Sequence, residues 1–296
     1  MTRPGKAIWR FLVILPVYGW MLVFFLLPFL FVFAISFSES IIASPPFAPL
    51  FQFDAGQALV SLKLHLFNYK LLLEDSLYIN AYLNSIFVAA KSTLATLALG
   101  FPMALAIARA PANRKGLLIL AIMLPFWTSL LVRGYAGIGI LRQDGLFNTV
   151  LMKIGVIDQP LILLQTEMAT YIGIVYTYLP FMILPIYATL EGQGKDLREA
   201  ARDLGASPFT TFLTITLPLA RPGVIAGCLL VFIPAVGQFV IPALLSGDSS
   251  LMIGAVLWNE FFSNRDWPVA SAVAIIMLVV LIIPMMLFQR AAARAT

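Results

Sequence analysis

The densest cluster of charge in the chain lies between Glu191 and Pro218, in EGQGKDLREAARDLGASPFTTFLTITLP. Arg198 with Arg202, and Glu199 with Asp203, recur at four-residue spacing, which lines each pair up along one side of a helix. Leu197, Ala200, Ala201 and Leu204 fall at i, i+3, i+4 and i+7 and form a further, apolar side. Gly205 follows at once, where a helix commonly ends in the left-handed conformation that glycine tolerates. Ser207 then has N-cap chemistry and Pro208 suits a first helical position. A second helix leads through Phe209, Phe212 and Leu213 towards Leu217-Pro218. Small alanines on the shoulder of a short charged helix let a partner approach closely, and a stiff two-helix elbow suits a part that is pushed. On these residues alone, a surface loop with ordinary solvated charges fits as well.

Catalytic chemistry is thinly supplied. Cys228 is the single cysteine, so no disulfide closes within the chain. His65 is the single histidine, and one Cys with one His falls short of the usual zinc ligand set. The Gly5-Lys6 and Gly194-Lys195 pairs lack the G-x-x-x-x-G-K-[ST] frame that cradles nucleotide phosphates. The chain is therefore expected not to be an enzyme and to hold no metal or cofactor, and any work against a gradient needs another chain or an ion gradient. Candidates for contact with a solute are the aromatic Trp127, Tyr135 and Tyr178, whose ring faces attract cations but which serve equally as packing or interfacial anchors. Gln238 donates and accepts hydrogen bonds without charge, and Glu260 and Asp266 offer carboxylates just before the last apolar run. Lys91 and Arg133 are cations inside apolar runs, suspects for function by position alone.

The elements that must position these residues are membrane helices. Of 296 residues 61% are hydrophobic and 11% charged, against about 45–50% and about 25% in a soluble domain. Mean hydropathy is +0.95. Six runs meet the requirement of about 20 apolar residues: roughly Phe11–Phe37, Ala81–Ala108, Leu117–Ile140, Ala169–Leu190, Val224–Leu245 and Val269–Gln289. The first follows Arg3, Lys6 and Arg10, as a signal peptide would, but exceeds a signal h-region of about 7–15 residues and is expected to be retained as a helix. With the N-terminus in the cytoplasm, 12 of the 19 basic residues fall inside and 5 outside, whereas the acids divide 4 inside to 10 outside. The positive-inside rule thus predicts both termini in the cytoplasm, with residues 191–223 a cytoplasmic loop of a single transmembrane domain over 1–296. The pI near 9.4 follows from this asymmetry without a nucleic-acid surface. The acidic outer segments attract a cationic solute or simply mirror the basic interior. Prolines stud the runs, and the stretch between Pro234 and Pro242 is the candidate for an interrupted helix at a solute path.

EAARDLGASPFTTFLTITLP matches the E-A-A, three residues, Gly, nine residues, I-x-L-P pattern of permease subunits of binding-protein-dependent ABC importers. Glu199, Ala200, Ala201, Gly205, Ile215, Leu217 and Pro218 stand at the pattern positions. Along most of the chain, LPFWTSLLVRGYAGIGIL, GVIDQPLILL, YIGIVYTYLPFMILPIYATL, VFIPAVGQFVIPALL and VLWNEFFSNRDWPVASAVAIIML resemble the spermidine/putrescine permeases of the first permease type. The resemblance implies an all-α membrane protein of six transmembrane helices with the type I ABC importer permease fold, in a bacterial inner membrane. It implies a second related permease, two ATP-binding subunits carrying ATP and Mg, and a periplasmic substrate-binding protein. It makes the segment around Arg198, Glu199, Ala200, Ala201, Asp203 and Gly205 the coupling helix that docks on the ATPase. Polyamine permeases usually carry Glu at the position of Gln238 and often an acid at that of Ala243, so this chain departs where a multivalent cation calls for carboxylates. Sister families that carry amino acids, opines, phosphonates or oxyanions share the architecture. An ion-gradient-driven secondary transporter is the reading from another class, and it calls for acidic relay residues at the midplane, which these spans lack.

Overall fold

The computed structural model describes residues 14–54, 59–247 and 250–293, without the side chains at 51–54, 59–62, 195, 196, 198 and 287–293. Arg3, Lys6, Arg10 and the start of the first expected span at Phe11 lie outside the described residues. So do Asp248 and Arg294, and the side chains of Arg198 and Arg290.

Among the described residues, five helices are long and apolar enough to cross a membrane: α1 (Ile14–Ile35), α3 (Ser76–Arg109), α7 (Glu167–Glu191), α9 (Pro208–Val236) and the apolar part, Trp267–Met286, of α12 (Trp267–Ala293). Between α1 and α3 lie an antiparallel hairpin, β1 (Phe51–Asp54) with β2 (Leu59–Leu62), and the short α2 (Phe67–Glu74). The hairpin is a local addition to an all-α architecture. A bent pair, Ala112–Trp127 (α4) followed by Leu130–Leu141 (α5) and Leu146–Lys153 (α6), meets the same length and hydropathy requirement only when taken together, with an angle of 93° at the break. Short helices among the described residues include α8 (Lys195–Asp203), α10 (Val240–Leu245) and α11 (Ile253–Trp258).

Two expected spans are corrected. The run 117–140 is broken: Pro125 cannot donate to the preceding turn, Leu124–Trp127 tightens to a 3₁₀ turn, and Thr128 goes extended at ψ 151 before Leu130 restarts the helix. The fifth span does not run 224–245. Its helix starts at Pro208, so the loop from 191 ends about fifteen residues sooner than expected and Arg221 is an exposed helical residue. A π turn at Phe212–Thr216 carries the helix through Pro218: Leu217 N–H donates to the Phe212 carbonyl, and the wider turn relieves the clash that the proline ring makes one turn back. The helix stops at Val236, and Val240–Leu245 is a separate helix beyond a three-residue break.

The described chain divides into two compact units: the chain up to Ser76 with Leu257–Leu278, and Leu77–Val256 with the chain from Val279. In the first, the buried Asn68 amide donates to the Ser36 and Ser38 carbonyls at 2.9 Å each, and Trp267 stacks on Phe261 with ring centroids 5.0 Å apart. In the second, α7 and α9 form the core around Met182, Ile183, Ile186, Ala220 and Val231. Gly227 permits this: a Cβ there would lie 2.8 Å from the Met182 sulfur, so the two helices approach as small residues allow in membranes.

Candidate functional site

The elbow forms as its local chemistry dictates. Helix α8 ends in a Schellman motif: Gly205, at φ +80, donates to the Arg202 carbonyl at 2.9 Å, and Ala206 N–H donates to the Ala201 carbonyl at 2.9 Å. Ser207 Oγ then accepts from Thr210 N–H at 3.1 Å, with Pro208 first in α9. The second expected short helix is thus the leading end of a membrane-length helix, so the elbow connects rigidly to the core. On α8 the apolar stripe is largely without cover: Leu197 is 52% and Leu204 88% exposed, Ala200 is exposed and Ala201 half-buried. Glu199 and Asp203 are exposed beside it. Arg198 sits on the same helix, its side chain outside the described residues.

A neighbour of the elbow was not legible in the sequence. Lys115 Nζ, in the first turn of α4, reaches both carboxylate oxygens of Glu191 at 2.6 Å each. The pair ties the α3–α4 turn to the end of α7, where the elbow begins. Partly solvated, it is worth on the order of 1 kcal/mol or less. Opposite charges at the ends of two spans were the available signal, but only topology could pair them.

The second candidate locus is the break after α9. Gln238 is buried, 7% exposed, and its Nε2 donates to Tyr178 Oη of α7 at 3.1 Å. Its Oε1 accepts from Phe239 N–H at 3.1 Å, so the side chain satisfies the interrupted backbone as an unwound membrane segment requires. From the other side Gly254, near the start of α11, packs on Gly237 so closely that a Cβ would collide with the Gly237 carbonyl. That start is anchored on α3: Ile253 N–H donates to Ser85 Oγ and the Asn84 amide donates to the Leu251 carbonyl, both at 2.8 Å. The break is thereby gripped between α7 and α11, and it falls inside the Pro234–Pro242 stretch singled out in the sequence. Gly254 and Ser85 were missed, since a lone glycine and serine carry no pattern.

Of the remaining candidates, Tyr178 alone joins Gln238. Trp127 at 71% and Tyr135 at 64% exposure present their rings on the surface of the chain. In the other unit, Asp266 Oδ1 accepts from Val269 N–H at 3.1 Å and caps α12, and Glu260 Oε2 accepts from the Asn264 amide at 2.8 Å. Both carboxylates are half-buried. The two cations in apolar runs each lie against a ring: exposed Lys91 is 5.8 Å from the centroid of Tyr171, and Arg133 is 5.4 Å from that of Phe126.

Comparison with known proteins agrees with this architecture. Residues 6–296 match the family described as "Binding-protein-dependent transport system inner membrane component". The spermidine/putrescine transport system permease protein PotB of Escherichia coli (strain K12) is 40% identical over 278 residues, covering 94% of this chain and 96% of that protein. PotB of Haemophilus influenzae is 37% identical over 275 residues, covering 93% and 91%. Among solved structures, the bacterial alginate ABC transporter in complex with an alginate pentasaccharide-bound periplasmic protein contains a chain that superposes with a TM-score of 0.75 over 99% of this chain and 98% of its own, at 18% identity. A match over nearly the whole length, to sequence relatives and to a solved fold alike, means that this chain belongs to the family of binding-protein-dependent transport system inner membrane components.

Proposed function

We propose that this multi-pass inner-membrane protein is one of two related permease subunits of an ATP-driven importer and forms half of a path for polyamines such as putrescine and spermidine. A periplasmic binding protein delivers the solute, and two ATP-binding subunits, which hold ATP and Mg, supply the energy. Both termini and the elbow face the cytoplasm, as the distribution of basic residues favours. The elbow docks on an ATPase subunit through Leu197, Ala200 and Leu204, flanked by Arg198, Glu199, Ala201 and Asp203, with Gly205 setting its angle. The observation that carries this reading is the uncovered apolar stripe on a helix locked at its C-terminal end. Exposed apolar residues rimmed by charge mark a partner surface.

The polyamine assignment follows the PotB relatives and takes account of Gln238. A buried, hydrogen-bonded amide avoids the desolvation cost of a carboxylate, so Gln238 gives the solute a neutral contact beside Tyr178. The charge that a multivalent cation needs comes from Glu260, Asp266 or the second permease. Titration calorimetry of the cognate binding protein tests the substrate directly. Saturable heats are expected for putrescine or spermidine and none for amino acids, opines or oxyanions. Binding of an opine or amino acid without polyamine binding would replace the substrate and leave the permease assignment standing.

A further inference from the structure

Two adjoining cavities beside the elbow share the same pair of arginines. One, of about 480 Å³, lies between the α3–α4 turn and α8 and is lined by Arg109, Lys115, Glu199 and Arg202 among small residues. The other, of about 310 Å³, is lined by Arg109 and Arg202 again, now with Leu105, Phe209 and Phe212. Lys115 is neutralised by Glu191. Among the described residues, Arg109 and Arg202 have no acidic partner within ion-pair distance, and both are exposed. Phe209 is 71% exposed, and Phe212 is held edge-on against Phe101 of α3 at 5.8 Å.

We infer that this paired cavity binds an anionic phospholipid of the cytoplasmic leaflet, its phosphate between Arg109 and Arg202 and the upper part of an acyl chain along Leu105, Phe209 and Phe212. Basic pockets between membrane helices on the cytoplasmic side recognise anionic head groups by this chemistry. The site rests on the orientation proposed above, which sets this end of the molecule at that leaflet. Charge alone would suit free phosphate or an acidic side chain of the ATPase. The apolar half distinguishes the lipid from free phosphate, which has no use for three hydrophobic side chains opening off the same two arginines, and retention of the ATPase subunits separates it from a protein contact. A lipid held there touches both the elbow and the α3–α4 turn, so it stiffens the segment proposed to carry the ATPase motion.

The test is lipid retention by the whole complex, purified from nanodiscs of phosphatidylcholine containing a minor fraction of phosphatidylglycerol and read by native mass spectrometry. Since each basic side chain at an anionic surface is worth about a fivefold change in partition, Arg109→Gln with Arg202→Gln is expected to retain about ten- to thirtyfold less phosphatidylglycerol. The Arg109→Lys with Arg202→Lys pair should keep most of the retention, Phe209→Ser should lower it with both charges intact, and Arg221→Gln should leave it unchanged. Undiminished retention in the double Gln variant overturns the inference, as does displacement of the lipid by inorganic phosphate. Loss of the ATPase subunits from that variant with lipid retention intact would assign the cavity to an acidic protein contact instead. Retention is read without turnover, so it stands or falls separately from ATPase coupling.

Discussion

Gly205→Pro is expected to abolish binding-protein-stimulated ATP hydrolysis in the assembled complex while leaving the permease folded and inserted. Gly205 holds φ +80 and donates to the Arg202 carbonyl. Proline is confined near φ −65° and has no N–H, so it can meet neither demand. It also disfavours the φ −79, ψ 8 backbone of Leu204, the C-cap residue of α8, and favours an extended one. The local cost is about 3 kcal/mol or more, and the elbow escapes it by opening. Borne by the docked state, a cost of that size weakens docking by about a hundredfold or more. The fold is spared because no atom lies within 4 Å of a Cβ at Gly205. Gly205→Asn, which tolerates the left-handed region, should retain most of the stimulation, and Gly205→Ala should fall between. Stimulated and basal ATPase rates, with gel filtration to confirm assembly, give the comparison. Full stimulation in the proline variant would show that the angle of the elbow is immaterial.

Gly254→Ala should damage transport through the other locus. The added methyl group collides with the Gly237 carbonyl, a backbone atom that cannot rotate away as a side-chain tip could. Overpacking of this kind costs about 1–3 kcal/mol. Either α11 lifts off Ser85 and Asn84, or the Gly237–Gln238 break shifts and Gln238 loses Tyr178. Reduced thermal stability of the complex together with a severe loss of polyamine uptake is the expected result. Gly139→Ala, exposed and with nothing within 4 Å of the new methyl, is the matched control and should behave as wild type. Unaltered uptake in Gly254→Ala would remove the break from the solute path.

The contrast between these two glycines shows what was legible in the sequence. Gly205 was readable because its role is local: the motif it closes spans Ala201 to Ala206, and Ser207 and Pro208 begin the next helix within reach of the eye. Gly254 was not, because its partner is the backbone of Gly237, brought near only by the fold. Lys115 with Glu191, and Ser85 with Ile253, are likewise separated by 76 and 168 residues. Hydropathy pointed to the apolar runs, but it joined one run across a break and misplaced the fifth. Pro125 breaks a span that apolar composition makes continuous. Pro218 and Arg221 fall inside the loop expected to run to 223, yet a π turn admits Pro218 into the helix, while Arg221 keeps its charge on an exposed face. Gln238 was singled out from the resemblance as a missing carboxylate, and its geometry adds a positive role, holding an unwound backbone through Phe239 and reaching Tyr178.

The most direct measurement is uptake of radiolabelled putrescine into proteoliposomes. The complete complex with its binding protein should accumulate the solute only with ATP, wild-type rates should vanish in Gly205→Pro, and this chain reconstituted alone should transport nothing under an imposed proton or sodium gradient. Gradient-driven uptake by the chain alone would contradict the account and make it a self-sufficient transporter.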